Sequence, residues 1–189
     1  RRQRQMCIRD SYLPQTSYRN LRYLQKVDYS TKPLLLPDII EEDVIGITKA
    51  ISNKSGMSKF LFCGVPGTGK TESAYQIARL LNRDILSVSF EQLIDSRLGE
   101  TAKNVSILFD EINHLPYNRV VVLFDEIDAL VLDRINKNDL REMGRVTSAF
   151  LKGIDNLNEN IVMIATTNLY ENLSLIHISE PPRHSLISY

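Results

Sequence analysis

Gly64-Val65-Pro66-Gly67-Thr68-Gly69-Lys70-Thr71 follows a short apolar run, Lys59 to Cys63, and opens a stretch of helical character, Thr71 to Leu81. The spacing is that of G-x-x-x-x-G-K-[ST] set between a strand and a helix. Glycines let a backbone curl around an anion and turn its N–H groups inward. The helix that follows brings its positive dipole end to the same point. Lys70 can neutralise charge on β- and γ-phosphates, and the Thr71 hydroxyl can ligate Mg²⁺. A chance Gly-rich turn has no reason to carry both flanking elements.

Outward from this loop the chain alternates. Ile85 to Ser89 reads as a strand, Glu100 to His114 as a helix, Arg119 to Phe124 as a strand, Asp139 to Ile154 as a helix and Ile161 to Ala165 as a strand. Upstream, Asp38 is expected to cap a helix to about Ser52, with Glu41, Glu42 and Asp43 in its first turns. Such alternation predicts an α/β fold: a parallel sheet of four visible strands, flanked by helices on both faces. Tyr12 to Lys32 shows no clear period and reads as a linker or the end of an upstream element.

Val120-Val121-Val122-Leu123-Phe124-Asp125-Glu126-Ile127-Asp128 supplies the counterpart to the loop. An apolar strand delivers consecutive carboxylates to its C-terminal end, where α/β proteins bind ligands. Asp125 would hold Mg²⁺ through water and Glu126 would polarise an attacking water. Asp110-Glu111 is a second acidic pair, but its helical spacing makes it the weaker candidate. Thr166-Thr167-Asn168 ends the last strand; Asn168 is the first choice for holding the attacking water, Thr167 the second. Standing alone, Asn168 would be an ordinary turn residue.

Taken together, over about Pro33 to Asn172, these elements resemble an AAA+ ATPase module of the P-loop NTPase class. Gly64 to Thr71 looks like the family's Walker A, Val121 to Asp128 like Walker B, and Asn168 like sensor 1. The resemblance implies ATP and Mg²⁺ as cofactors. Gly64, Val65, Pro66, Gly67, Thr68, Gly69, Lys70, Thr71 and Glu72 would contact the nucleotide, Thr71 and Asp125 the metal, and Lys70, Glu126 and Asn168 would be catalytic. It also implies a self-assembled ring, usually a hexamer, that remodels or disassembles a protein substrate. Pore-facing residues would fall near Ile135 to Asp139, and Asp139 to Asp155 is similar to the family's helix after Walker B.

Two departures stand out. Many substrate-threading members carry an aromatic in the loop after the second strand, where this chain has Arg97, within Asp95 to Glu100. An Arg lacks that flat apolar grip, although its stem can still touch a chain. The alternative function is therefore an ATP-controlled binding or assembly switch without threading. Unfolding that depends on this loop would mark threading; nucleotide-dependent binding alone would mark a switch. A small-molecule kinase fits less well, because an Asp-Glu strand end followed by a later polar residue is unusual there. The other departure is that the family's fifth strand, arginine fingers, helical lid and second sensor have no counterpart before Asn172. Arginine fingers contribute about 10³–10⁵ in rate in nucleotide hydrolases. The chain as written is thus expected to hydrolyse ATP poorly, and the intact protein well.

The ends read differently from the middle. Met6-Cys7-Ile8-Arg9-Asp10-Ser11 and Leu173-Ser174-Leu175-Ile176-His177-Ile178 can be encoded by opposite strands of one DNA element. That DNA resembles the transposase end sequence used in sequencing libraries. The expected organisation is adapter-derived sequence at 1–11 and 173–189, a linker or upstream element at 12–37, and a partial ATPase core at 38–172.

Composition bounds the remaining possibilities. The chain has 189 residues, 43% hydrophobic and 24% charged, enough for one globular core. Its 23 basic and 23 acidic residues balance, so charge gives no reason to expect nucleic acid. Without the tails the balance turns acidic. No apolar run is longer than Val120 to Phe124, which is far short of the ~20 residues that span a membrane. No signal peptide is recognisable, and two cysteines form no disulfide framework, so a reducing cytoplasmic location is expected.

Four further groups lie outside the main motifs. Cys63 reads as a buried small hydrophobe and His114 as a helix-end residue, not a metal ligand. Arg141 and Arg145 read as a solvated helix face, with contact to a neighbouring subunit's nucleotide as the alternative. Ile45-Gly46-Ile47 lies where family members often contact adenine.

Overall fold

The computed structural model describes residues 18, 21–29, 35–53, 56–94, 100–129, 140–168 and 185–188. Their strands are β1 (Leu24–Val27), β2 (Lys59–Cys63), β3 (Asp84–Val88), β4 (Val120–Phe124), β5 (Val162–Thr167) and β6 (Ser185–Ser188). Their helices are α1 (Asp38–Ser52), α2 (Lys70–Leu80), α3 (Phe90–Leu93), α4 (Glu100–Asn113) and α5 (Leu140–Asp155). Among the described residues the sheet runs β1-β3-β4-β5-β2-β6. Only the β1–β3 pairing is antiparallel; the others are parallel.

Alternation along each central strand divides the core in two. Val120, Val122 and Phe124 of β4, with Met163 and Ala165 of β5, pack beneath α4 and α5. Val121, Leu123, Val162 and Ile164 face the opposite side, against Ile40, Val44, Ile47 and Ile51 of α1 and Ala74, Ile77 and Ala78 of α2. Every residue of β4 and β5 is buried, as a strand covered on both faces requires. On the α4–α5 side a cluster of rings lies under the end of β4. Phe124 stacks with Phe109 at 5.9 Å between centroids and meets Phe150 edge-on at 5.5 Å, with Phe90 at 6.4 Å. Gly153 of α5 sits directly over Phe109, where an added Cβ would come within 2.1 Å of the ring.

Three findings differ from the sequence-based expectations. β1 falls in the stretch read as a linker or the end of an upstream element, where no strand was expected, and it joins the sheet in register Leu24↔Val88 to Val27↔Ile85. The Glu111 carboxylate anchors its start by accepting the backbone N–H groups of Arg22, at 3.1 and 3.2 Å, and Tyr23, at 3.4 Å. Glu111, half of the second acidic pair, is therefore a structural acceptor on α4. β6 pairs in parallel with β2, from Phe60↔Ser185 to Cys63↔Ser188, so a fifth parallel strand stands where four were expected. Finally, Asp38 is the first residue of α1 and not its cap. Pro37 takes the cap position in an extended conformation and makes no side-chain cap bond, while its carbonyl accepts Glu41 N–H at 3.0 Å. Asp38 and Glu41 still place negative charge at the positive end of the helix.

Candidate functional site

Parallel pairing brings the C-terminal ends of β4, β5 and β2 side by side. Each end carries one part of the site. β2 runs into the Gly64–Gly69 loop, which opens α2 at Lys70. Gly67 at φ 82° and Gly69 at φ 91° occupy the left-handed region that other residues enter only under strain. Gly69 is also crowded: a Cβ there would lie 3.0 Å from Leu36 Cδ2. Lys70 is 6% exposed, and its ammonium donates to the carbonyls of Gly64 at 2.8 Å and Val65 at 2.9 Å. Both acceptors are neutral, so the buried positive charge suits an anion held in the loop.

At the end of β4, Asp125 Oδ1 accepts the Thr71 hydroxyl at 2.9 Å and the Thr166 hydroxyl at 2.7 Å. Glu126 is exposed beside it, with φ at 56°. A left-handed non-Gly residue costs on the order of 1–3 kcal/mol, and such residues cluster at functional sites. Its N–H donates to Thr166 Oγ1 at 2.8 Å, and Ile127 N–H donates to the Thr166 carbonyl at 3.0 Å.

At the end of β5 the side chains alternate. Thr166 and Asn168 line a cavity of about 280 Å³ together with Pro66, Gly67, Gly69, Lys70, Thr71, Glu72 and Glu126. Thr167, the second choice as water holder, points the other way and is fully buried. Its hydroxyl donates to Asp128 Oδ1, while Asp128 Oδ2 accepts Asn168 N–H at 2.8 Å. Thr166 therefore replaces Thr167 as the threonine facing the cavity. The period-2 rule carried this signal, because residues 166 and 168 share a face.

Of the proposed nucleotide contacts, Gly64, Val65 and Thr68 belong to the loop but do not line the cavity. Thr68 Oγ1 bonds to the Val65 carbonyl at 2.9 Å. Cys63 is buried at the end of β2; burial pushes its thiol up, with Asp128 adding to the effect and Lys70 opposing it. Burial likewise raises the Tyr75 phenol, reinforced by the charges of Asp125 and Glu72. His114 Nδ1 lies 2.7 Å from the Asp110 carbonyl at the end of α4, as a helix-end residue should. Arg141 and Arg145 are exposed on α5, and Ile45 is exposed on α1. Arg97, its loop 95–99 and the stretch 135–139 lie outside the described residues.

A glycine loop opening a helix, paired carboxylates two strands away and a polar strand end between them define a P-loop NTPase fold. The family model described as "ATPase family associated with various cellular activities (AAA)" matches residues 60–179. The chain belongs to that family. It is 40% identical over 116 residues to the uncharacterized AAA family ATPase y4kL of Sinorhizobium fredii, covering 61% of this chain and 34% of the relative. It is 36% identical over 110 residues to the cell division cycle protein 48 homolog of Archaeoglobus fulgidus, covering 57% and 15%. The chain thus spans about a third or less of these relatives. Among solved structures, the E. coli MS115-1 HORMA:CdnC:Trip13 complex contains a chain that matches at a TM-score of 0.59 and 22% identity. That match covers 77% of this chain and 62% of the other, and it supports the fold.

Proposed function

We propose that the intact protein binds ATP with Mg²⁺ and hydrolyses it to ADP and phosphate. The observation that carries this reading is the 2.9 Å bond from the Thr71 hydroxyl to Asp125, with Thr71 itself lining a cavity together with Lys70 and Glu126. Among the described residues no group of three or more His, Cys, Asp or Glu could cage a metal. Mg²⁺ fits this site all the same, since it takes one or two protein oxygens and completes its shell with phosphate and water. Thr71 and Asp125 would hold it, and it would neutralise charge between the β- and γ-phosphates.

The chain's own groups divide the remaining work. The Gly64–Gly69 loop and the start of α2 offer N–H groups to the phosphates. Lys70 exchanges its loop carbonyls for phosphate oxygens. Glu126, exposed to the cavity, accepts a hydrogen bond from the attacking water and draws off its proton. Asn168 orients that water from the neighbouring strand. In this reading, hydrolysis drives remodelling or disassembly of a protein substrate by a self-assembled ring of hexameric type in the cytoplasm, with no nucleic acid required.

The test is made on the full-length protein with a fluorescent ATP analogue and a phosphate-release assay. Lys70→Ala is expected to abolish Mg²⁺-dependent nucleotide binding. Glu126→Gln should keep binding and lose at least about 100-fold in hydrolysis, the usual range for a removed general base. A wild-type protein that binds no ATP would sink the reading.

A further inference from the structure

Thr166 takes part in none of the steps above, yet it touches both carboxylate residues. It is 1% exposed. Its Oγ1 accepts Glu126 N–H at 2.8 Å and lies 2.7 Å from Asp125 Oδ1. A backbone N–H can only donate, so the hydroxyl must accept there and spend its single proton on Asp125. The direction of both bonds is thereby fixed. The Thr166 carbonyl adds a third contact by accepting Ile127 N–H at 3.0 Å. Two hydrogen bonds from one residue thus bracket Glu126 on either side of its left-handed φ of 56°.

We infer that Thr166 is a positioning residue for hydrolysis: its hydroxyl sets the backbone of Glu126 and orients Asp125. The inference rests on the ATPase reading. Without the hydroxyl, Glu126 N–H loses its acceptor and the residue can relax toward the ordinary helical region, which turns its carboxylate away from the cavity. Asp125 loses one of the two hydroxyls that fix Oδ1. Thr71 cannot substitute, since its oxygen is the one that would turn to a metal. Lys70 and the glycine loop, which would hold the phosphates, make no hydrogen bond to the Thr166 hydroxyl and should work unchanged.

The experiment compares wild type, Thr166→Val, Thr166→Ala and Thr166→Ser in the full-length protein. Val keeps the shape without the hydroxyl, Ala serves if Val fails to fold, and Ser restores the hydroxyl. The variant without a hydroxyl is expected to lose about 10–100-fold in kcat, the usual effect of an orienting partner, while KM for ATP stays near the wild-type value. A Mg²⁺ titration of fluorescent-nucleotide binding should show a higher half-saturating Mg²⁺ concentration. Nucleotide affinity at saturating Mg²⁺ should be kept, and Ser should return both readouts most of the way. Wild-type kcat and an unmoved Mg²⁺ midpoint in Val or Ala would overturn the inference. So would parallel loss of kcat and nucleotide affinity without rescue by Ser, the mark of a packing defect. A wild type that fails to bind ATP is a separate result, because it removes the ATPase reading itself.

Discussion

Asp128 is buried, and both of its carboxylate oxygens are engaged, Oδ1 by the Thr167 hydroxyl and Oδ2 by Asn168 N–H. The residue therefore fixes the strand end that aims Asn168 at the cavity. Asp128→Ala would leave a fully buried hydroxyl and a backbone N–H without this acceptor. That should destabilise the protein by about 1–3 kcal/mol, read as a lower urea midpoint. The grouping of Asp125, Glu126, Lys70, Thr71 and Asn168 as one candidate site is legible in the sequence, because a glycine loop before a helix and a carboxylate pair at a strand end are both local patterns. Asp128 and Thr166 were not singled out. Their roles depend on which strands are neighbours, and β4 meets β5 across a gap of some forty residues that no local pattern spans. Thr166 could have been placed by alternation alone, since it shares a face with Asn168 and Thr167 does not.

At the scale of elements, long stretches with a consistent period were read to within a residue or two. Lys59–Cys63 and Asp38–Ser52 begin and end where their patterns do. The misses are all short. β1 and β6 have four residues each, and α3 has four. β1 reads Leu-Gln-Lys-Val at the edge of the sheet, with its two middle residues exposed, so little apolar signal marks it. Its place is secured by partners distant in sequence, namely Glu111 at its start and Lys26 paired with Asp84 at 2.9 Å. Helix α5 shows the opposite case, in which one residue decides the packing. Gly153 allows α5 to rest on Phe109, and a methyl group there would overlap the ring. Gly153→Ala gains helix propensity but forces the two helices apart. A net loss of about 1–3 kcal/mol is expected, measured by urea unfolding. If Ala stabilised the protein instead, the α4–α5 contact would have to be looser than the ring distances indicate.

Across the whole molecule, the alternation of strands and helices made the α/β class legible, because strands buried on both faces must be nearly all apolar. Strand order was not legible in the same way. Nothing in the local pattern of Val162–Thr167 says that it inserts between β2 and β4, yet that insertion is what assembles loop, carboxylates and Asn168 at one edge. The ring cluster adds a consequence for heat. Phe124 is wholly buried against Phe90, Phe109 and Phe150, and the next residue is Asp125. No slack peptide separates the carboxylate pair from this ring cluster. Among the described residues, warming therefore meets no soft joint between the ring cluster and the carboxylate pair. Nucleotide binding and far-ultraviolet circular dichroism, followed through one temperature ramp, should fade together as a single transition. Binding that vanished well ahead of the helical signal would contradict this. The protein should thus have no heat-inactivated yet folded form, and its working range should extend as far as its melting point.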